Sequence, residues 1–255
     1  MSTAMSGQRA LILGLANANS IAYGVAKALK AQGVELAITY QTERTRDFIA
    51  PLLDELEPAI LEKCNVQEPG ELEAVFSKIR QQWGQLDMAV HSIAFALKDD
   101  LHGRVVDSSA EGFALAMDVS CHSFIRMCKL AEPLMHEGGT LLTMSYLGAE
   151  RVVPNYGVMG PVKAALEASV KYLANELGPK KIRVHAVSPG PIMTRAASGI
   201  PEFNAMLAQA AQQAPMRELV DIDDVGAAAV FLCSDGAKRL TGSTFYIDGG
   251  VNIMG

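Results

Sequence analysis

The sequence predicts a doubly wound α/β fold, in which a parallel sheet carries helices on both faces. Short, continuously apolar segments alternate with amphipathic segments of helix length. No Pro/Gly/Ser-rich linker, fixed-period repeat or charge block divides the chain. Its 255 residues, 49% of them hydrophobic, suffice for one large core. We therefore expect residues 1–255 to form a single domain.

The predicted elements follow each other in regular alternation. Gly33 is suited to cap the first helix, and Pro51 is expected to interrupt the second helix early. The strands cover residues 9–14, 34–40, 59–66, 86–94, 139–146, 182–190 and 244–250. The helices cover residues 21–32, 47–57, 71–84, 110–135, 157–177 and 222–234.

Charge and cysteine usage exclude several classes of function. A net charge of −6 without a basic cluster argues against nucleic-acid binding. The four cysteines form neither a CxxC pair nor a zinc-like spacing with histidine, so we predict reduced core residues and no metal. The early apolar run ALILGLA is too short for a membrane span and lacks the flanks of a signal peptide. We expect a cytoplasmic protein outside the membrane.

The turn after the first strand, GLANANSIAYG, is a candidate pyrophosphate site. A helix N-terminus attracts phosphate, and glycine allows the backbone to approach it closely. The GxGxxG spacing is absent because Ala16 occupies the position of the second glycine, so an ordinary Asn/Ser-rich turn remains the alternative. The second strand ends at neutral Gln41, which favours NADH over NADPH. Arg44 and Arg46 leave NADPH as the alternative.

Tyr156 and Lys163 form a candidate catalytic pair, with Tyr146 upstream at the end of a strand. Positions seven apart lie almost on one line of a helix, so both side chains would face the same way if both belong to the helix predicted at 157–177. A lysine there can bind ribose hydroxyls, and its charge would make a nearby phenol a better proton donor. A surface tyrosine with a snorkelling lysine is the structural alternative.

The combination of motifs is more specific than any one of them. GLANANSIAYG, TYQ, HSIAFA, SYLGAERVVPNYGVMGPVKAALEA, SPGPIMTRAASGI and FLCSD…YIDGG occur in this order over nearly the whole chain. Together they resemble the enoyl-acyl-carrier-protein reductases, a divergent branch of the short-chain dehydrogenase/reductase superfamily. The resemblance implies a Rossmann-like homotetramer that reduces the trans-2 double bond of enoyl thioesters with NADH. This oxidoreductase reaction is the last step of the elongation cycle of fatty-acid biosynthesis, and its partner is acyl carrier protein.

The resemblance also assigns residues one position at a time. Tyr146, Tyr156 and Lys163 match the catalytic residues, and Tyr146 and Tyr156 also contact the substrate. The cofactor would be bound by Gly14, Ser20, Ile21, Gln41, Asn65, Val66, Ser92, Ile93, Ala94, Lys163, Ile192 and Thr194. The acyl pocket would add Phe95, Met159, Ala196 and Met206. Residues 194–208 resemble a substrate-binding lid.

Two departures from the family pattern stand out. Asn65 replaces the usual aspartate, and Pro161 lies past the first turn if the helix begins near Tyr156, where it would bend the helix. A short-chain dehydrogenase acting on a carbonyl, or on another small α,β-unsaturated compound, is the alternative function. Against the carbonyl enzymes, Gly160 rather than lysine stands four residues after Tyr156, and Thr143 occupies the place of their usual serine.

Overall fold

The computed structural model describes residues 5–194 and 203–254. Its seven strands form one parallel sheet in the order β3-β2-β1-β4-β5-β6-β7. The order reverses between β1 and β4, and α/β sheets bind ligands at such a point. The strands are β1 Arg9–Leu13, β2 Glu35–Tyr40, β3 Ile60–Lys63, β4 Met88–His91, β5 Gly139–Met144, β6 Ile182–Pro189 and β7 Thr244–Ile247.

Helices cover both faces of the sheet. Successive side chains of β1 point to opposite faces, so Leu11 and Leu13 join one hydrophobic cluster while Ala10 and Ile12 join the other. The first cluster includes residues of α3, α6 and α7, and the second includes residues of α1, α2 and α9. The helices are α1 Ile21–Ala31, α2 Glu43–Leu56, α3 Glu71–Gln82, α4 Lys98–His102, α5 Ala110–Met117, α6 Ser123–Ala131, α7 Met159–Leu177, α8 Phe203–Gln213 and α9 Ile222–Cys233. The predicted fold class is therefore confirmed.

The second helix differs from its predicted form. It begins at Glu43, because the Thr42 hydroxyl caps it by accepting from the Thr45 N–H, and it continues through Pro51. The proline leaves the carbonyl of Asp47 without its helical donor. Asp47 is exposed, so water can hydrate that carbonyl, and the expected interruption does not occur.

The segment predicted as one helix over residues 110–135 is divided. A π-helical turn, Asp118–His122, separates α5 from α6, and a 3₁₀ turn, Glu132–Leu134, follows α6. Such π turns inside helices are frequent at functional sites. Among the described helices, none combines the length and the apolar character that crossing a membrane requires.

Helices α1 and α9 touch backbone to backbone on one face of the sheet. A Cβ added at Gly24 would lie 2.2 Å from the Ile222 carbonyl oxygen, and one added at Gly226 would lie 2.6 Å from the Gly24 oxygen. Glycine is required at both positions because any side chain would push the helices apart. Gly24 therefore serves helix packing.

Candidate active site

The predicted site residues gather at the carboxyl edge of the sheet. Gly14 follows β1, Gln41 follows β2, Asn65 lies beyond β3, Ser92 follows β4, and Tyr146 lies beyond β5. Because the strands are parallel, their carboxyl ends meet at one edge. The fold thus brings together residues that are distant in sequence.

The turn between β1 and α1 leaves a helix N-terminus open to a ligand. Gly14 has φ +98°, and a Cβ there would lie 2.5 Å from the Ser92 carbonyl oxygen. Ser20 precedes α1 without capping it, because its hydroxyl donates to the Asn17 carbonyl at 2.7 Å. The N–H groups that begin at Ile21 therefore receive no side-chain acceptor at the cap. This arrangement fits the pyrophosphate of a dinucleotide.

A pocket of about 280 Å³ lies beside this turn. It joins the turn to the residues after β6 and to helices α8 and α9, with Asn19, Ile192, Leu207 and Ile222 in its lining. A groove of about 390 Å³ lies at the opposite edge of the sheet, around Glu132 and Lys180, and contains none of the predicted site residues.

The residue after β2, Gln41, has a neutral side chain that suits a ribose. Gln41 is exposed. The Arg44 guanidinium lies 5.7 Å from the centre of the Phe48 ring, and Arg46 forms an exposed ion pair with Glu43 at 3.8 Å. Both arginines contact neighbours on α2, and the neutral Gln41 side chain suits the hydroxyls of an unphosphorylated ribose.

The loop after β3 is held by its own hydrogen bonds. The Asn65 N–H donates to the Glu71 carboxylate at 2.6 Å, and the Asn65 side-chain oxygen accepts from the Gln67 N–H at 3.3 Å. That oxygen retains a second lone pair for an adenine amine. Val66 is buried, and its carbonyl accepts from Arg126 at 2.9 Å.

The π-helical turn fixes the loop after β4, which contains Ile93 and Ala94. The Phe95 N–H donates to the Ser120 hydroxyl at 2.9 Å, and that hydroxyl in turn donates to the Phe95 carbonyl at 3.0 Å. Ser120 is fully buried, whereas the Phe95 side chain is 44% exposed. The sequence gives no signal for Ser120, since one serine inside an apolar helical segment is unremarkable. After β6, the Thr194 N–H donates to the Ile192 carbonyl at 2.7 Å.

Tyr146 and Tyr156 form an aromatic pair. Their ring centroids lie 4.9 Å apart with an interplanar angle of 59°. Tyr156 precedes α7 and lies between two residues of left-handed conformation, Asn155 (φ 62°) and Gly157 (φ 50°). Tyr156 therefore lies outside the helix, so the condition under which we expected Tyr156 and Lys163 to share one helix face is not met, and the turn orients the tyrosine.

The later start of α7 also explains Pro161. The helix begins at Met159, so Pro161 lies in its first turn, where backbone N–H groups have no acceptor within the helix. The bend that we expected from a helix beginning near Tyr156 thus loses its physical basis. Met159 itself is buried beside the aromatic pair, in the same hydrophobic cluster.

Lys163 is buried and bonded to the end of β5. It is 5% exposed, and its ammonium donates to the Met144 carbonyl at 2.7 Å. Burial lowers the pKa of Lys163 to about 8. An ammonium has three N–H donors, so two remain for a ribose.

Both tyrosines stay protonated in this setting. Burial is the main cause that raises the pKa of Tyr156, with further contributions from Tyr146 and Glu167, and burial raises the pKa of Tyr146 to about 12. The acidifying effect that we expected from Lys163 is not among the causes that set the pKa of Tyr156, and desolvation of the phenolate determines its direction. Each phenol is a neutral hydrogen-bond donor near pH 7.

The predicted lid falls partly outside the described residues. Residues 195–202, with the predicted substrate residue Ala196, lie outside them. Met206 on α8 is described, and its sulfur accepts from the Tyr146 hydroxyl at 3.6 Å. The first turns of α8 therefore reach the aromatic pair.

The chain is similar to one family over almost its entire length. A profile described as Enoyl-(Acyl carrier protein) reductase matches residues 14–252. The NADH-dependent enoyl-[acyl-carrier-protein] reductase 2 of Rhizobium meliloti is 47% identical over 99% of this chain and 94% of its own length. The Escherichia coli NADH-dependent enzyme is 44% identical over 98% of this chain and 95% of its own length.

Solved structures of such enzymes superpose closely. The Anaplasma phagocytophilum reductase in complex with NAD has a TM-score of 0.95 at 44% identity, covering 100% of this chain and 97% of that one. The Bacillus cereus reductase with NADP+ and indole naphthyridinone has a TM-score of 0.97 at 44% identity, covering both chains fully.

Proposed function

The chain belongs to the enoyl-(acyl carrier protein) reductase family, and from this membership we propose that it uses NADH to reduce the trans-2 double bond of enoyl thioesters on acyl carrier protein. This is the reduction step of fatty-acid elongation. The observation that carries the proposal is the Tyr146–Tyr156 pair at the end of β5, beside the helix that bears Lys163.

The cofactor-binding residues form two groups in this proposal. Gly14, Ser20 and Ile21 place backbone groups at the pyrophosphate, while Gln41, Asn65 and Val66 surround the adenosine. At the other end, Ser92, Ile93, Ala94, Ile192 and Thr194 flank the nicotinamide, and Lys163 donates its two remaining N–H groups to the ribose. Bound NADH supplies the hydride for the β-carbon of the substrate.

Tyr156 stabilises the charge that develops on the substrate. Hydride addition at the β-carbon moves an electron pair onto the thioester oxygen, and the neutral Tyr156 phenol donates a hydrogen bond to that oxygen. A proton from solvent at the α-carbon completes the reduction. Because its pKa is raised, Tyr156 serves as a donor without ionising.

The acyl chain would lie against apolar side chains around the aromatic pair. Phe95, Met159 and Met206 are suited to this role, since Phe95 is exposed at the loop after β4 and Met206 contacts Tyr146. Together with Ala196, they would form a pocket that a lid over residues 194–208 closes. A closing lid excludes water from the reacting atoms.

We further propose that the enzyme is a cytoplasmic homotetramer in which each subunit is one domain. Large apolar side chains remain exposed on the single chain, among them Tyr172 on α7 at 74%, Phe231 on α9 at 50% and Ile253 at 75%. Subunit contacts would cover such residues. Light scattering of the purified protein would measure a mass four times that of the chain, and a monomeric mass would contradict this part of the proposal.

Turnover measurements test the reaction. With NADH and crotonyl thioester the protein should oxidise NADH, with NADPH it should do so more slowly, and with a simple ketone it should not. Good ketone reduction without enoyl reduction would overturn the proposal in favour of a carbonyl enzyme. A thioester on acyl carrier protein and the same acyl chain on coenzyme A, compared in parallel, would measure the contribution of the carrier.

A further inference from the structure

Two neighbouring residues at the end of β5 are tied to two residues one turn apart on α7. The Met144 carbonyl accepts from Lys163, and the hydroxyl of the next residue, Ser145, donates to the Glu167 carboxylate. Helix positions four apart lie on the same face, so Lys163 and Glu167 both face the strand end. The hydrogen bond from Lys163 belongs to the cofactor site described above, whereas the hydrogen bond to Glu167 has no role assigned so far.

The hydrogen bond between Ser145 and Glu167 involves a carboxylate inside the protein. Glu167 is 7% exposed and Ser145 is 6% exposed. Burying a carboxylate is costly unless hydrogen bonds or a countercharge compensate. Among the ion pairs of the described residues, none joins Glu167 to Lys163, so the attraction between the two charges acts over a longer distance than direct contact.

We propose that Glu167 is a positioning residue that keeps the buried Lys163 ammonium charged and, through Ser145, holds the strand end that leads to Tyr146. The effect on turnover rests on the proposed function, but the effect on NADH binding does not require any enoyl substrate. The carboxylate contributes a countercharge, and the hydrogen bond contributes a fixed backbone position. Two single substitutions separate these contributions.

The other titratable groups around the pair are neutral near pH 8. Burial lowers the pKa of His91 on β4 to about 3 and raises that of the Cys121 thiol on the π-helical turn. Burial likewise raises the pKa of Tyr246 on β7 and that of Tyr156, both of which interact with Glu167. Glu167 is thus the countercharge available to the ammonium among these groups.

The direction of the pH effect follows from the Lys163 pKa, which burial lowers to about 8. The charged form prevails below that pH, and the ribose loses its ammonium donor as the pH rises through it. NADH affinity should therefore weaken on the alkaline side. Removal of the Glu167 charge should move this weakening to lower pH by about one unit.

The experiment compares Glu167→Gln with Ser145→Ala by measuring NADH binding through fluorescence from neutral to alkaline pH. Gln keeps an oxygen that accepts from Ser145 but removes the charge, so the loss of NADH affinity at alkaline pH, called here the alkaline limb, should begin at a lower pH. Ala at 145 removes the hydrogen bond but keeps the charge, so the limb should stay while kcat for the enoyl thioester falls several-fold. Glu176→Gln, on an exposed turn of the same helix, is the matched control and should match wild type.

If NADH affinity in Glu167→Gln weakens at the same alkaline pH as in the wild type, the proposal is overturned. It is also overturned if Ser145→Ala lowers that pH as much as Glu167→Gln does. If Glu167→Gln does not fold, Ser145→Ala decides, and a wild-type kcat in that variant would overturn the proposal. Lys163→Arg then checks the origin of the alkaline weakening, which should disappear because a guanidinium stays charged. A limb that persists in Lys163→Arg does not come from Lys163 and also refutes the proposal. A wild-type protein inactive on enoyl thioesters would refute the proposed function alone, since the binding limb is measured without substrate.

Discussion

Gly148 lies directly against the ring of Tyr156, and its replacement by alanine should slow turnover while leaving NADH binding intact. Gly148 lies in the 3₁₀ turn Leu147–Ala149 and does not have a left-handed φ, so alanine suits its backbone. The added methyl group would instead meet the aromatic ring, at 2.4 Å from Cδ1 and 2.7 Å from Cε1. The perturbation therefore acts on the Tyr156 side chain.

The size of the effect follows from these distances. Ordinary van der Waals contact begins near 3.4 Å, so the ring must retreat by about 1 Å. The ring belongs to the core cluster on the α7 side of the sheet and carries the donor hydroxyl with it. A misplacement of about 1 Å at a reacting group can cost about 100-fold in rate. We expect kcat to fall by about that factor.

Steady-state kinetics with saturating NADH and crotonyl thioester would measure the loss, and fluorescence would measure NADH affinity. Gly178→Ala is the matched control, because Gly178 is helical, at φ −54° and ψ −39°, and its added Cβ meets nothing within 4 Å. Wild-type kcat in Gly148→Ala would refute the dependence on the Tyr156 position. An equal loss in Gly178→Ala would refute the steric explanation.

The remaining predictions concern the reaction, the cofactor, the loop after β4 and the core. Tyr156→Phe should lower kcat about 100- to 1,000-fold with unchanged NADH affinity, as loss of an oxyanion donor does; a small loss in steady-state assays would contradict its role. Lys163→Ala should weaken NADH binding, and normal affinity by fluorescence would refute its ribose contact. Ser120→Ala should raise KM for the thioester several-fold, because the Phe95 backbone loses both hydrogen bonds to Ser120; an unchanged KM would contradict the role of Ser120 in fixing the loop after β4. Phe124→Ala should destabilise the fold by about 3–5 kcal/mol in denaturant titrations, since Phe124 is fully buried, and a loss below about 1 kcal/mol would contradict this.

The strands were predictable because a parallel sheet covered on both faces needs continuous apolar segments. All seven predicted strands are present, and each is shorter at one or both ends than the segment predicted for it. The gathering of Gly14, Gln41, Ser92 and Tyr146 at one edge followed from the parallel arrangement. For these features, local pattern and tertiary structure agree.

The geometry around Tyr156 could not be predicted in the same way. Helix α7 starts without a Ser, Thr, Asp or Asn cap, because its N-cap is Val158 and no side chain bonds the first turn. The start is set by the left-handed turn at Asn155 and Gly157, whose positive φ values no periodicity reveals. Ser120 and Glu167 were missed for a related reason: each acts through a tertiary contact with a residue far away in sequence.

The contact between Gly24 and Gly226 has a consequence for synthesis on the ribosome. Helix α1 leaves the ribosome early and α9 leaves it near the end, so most of the chain is synthesised before α1 can pack against α9. Until then the apolar residues that α9 covers, such as Val25, are exposed in the nascent chain. A contact so distant in sequence forms late and slows folding. The apolar face of α1 that packs on α9 can therefore be buried only after α9 has left the ribosome.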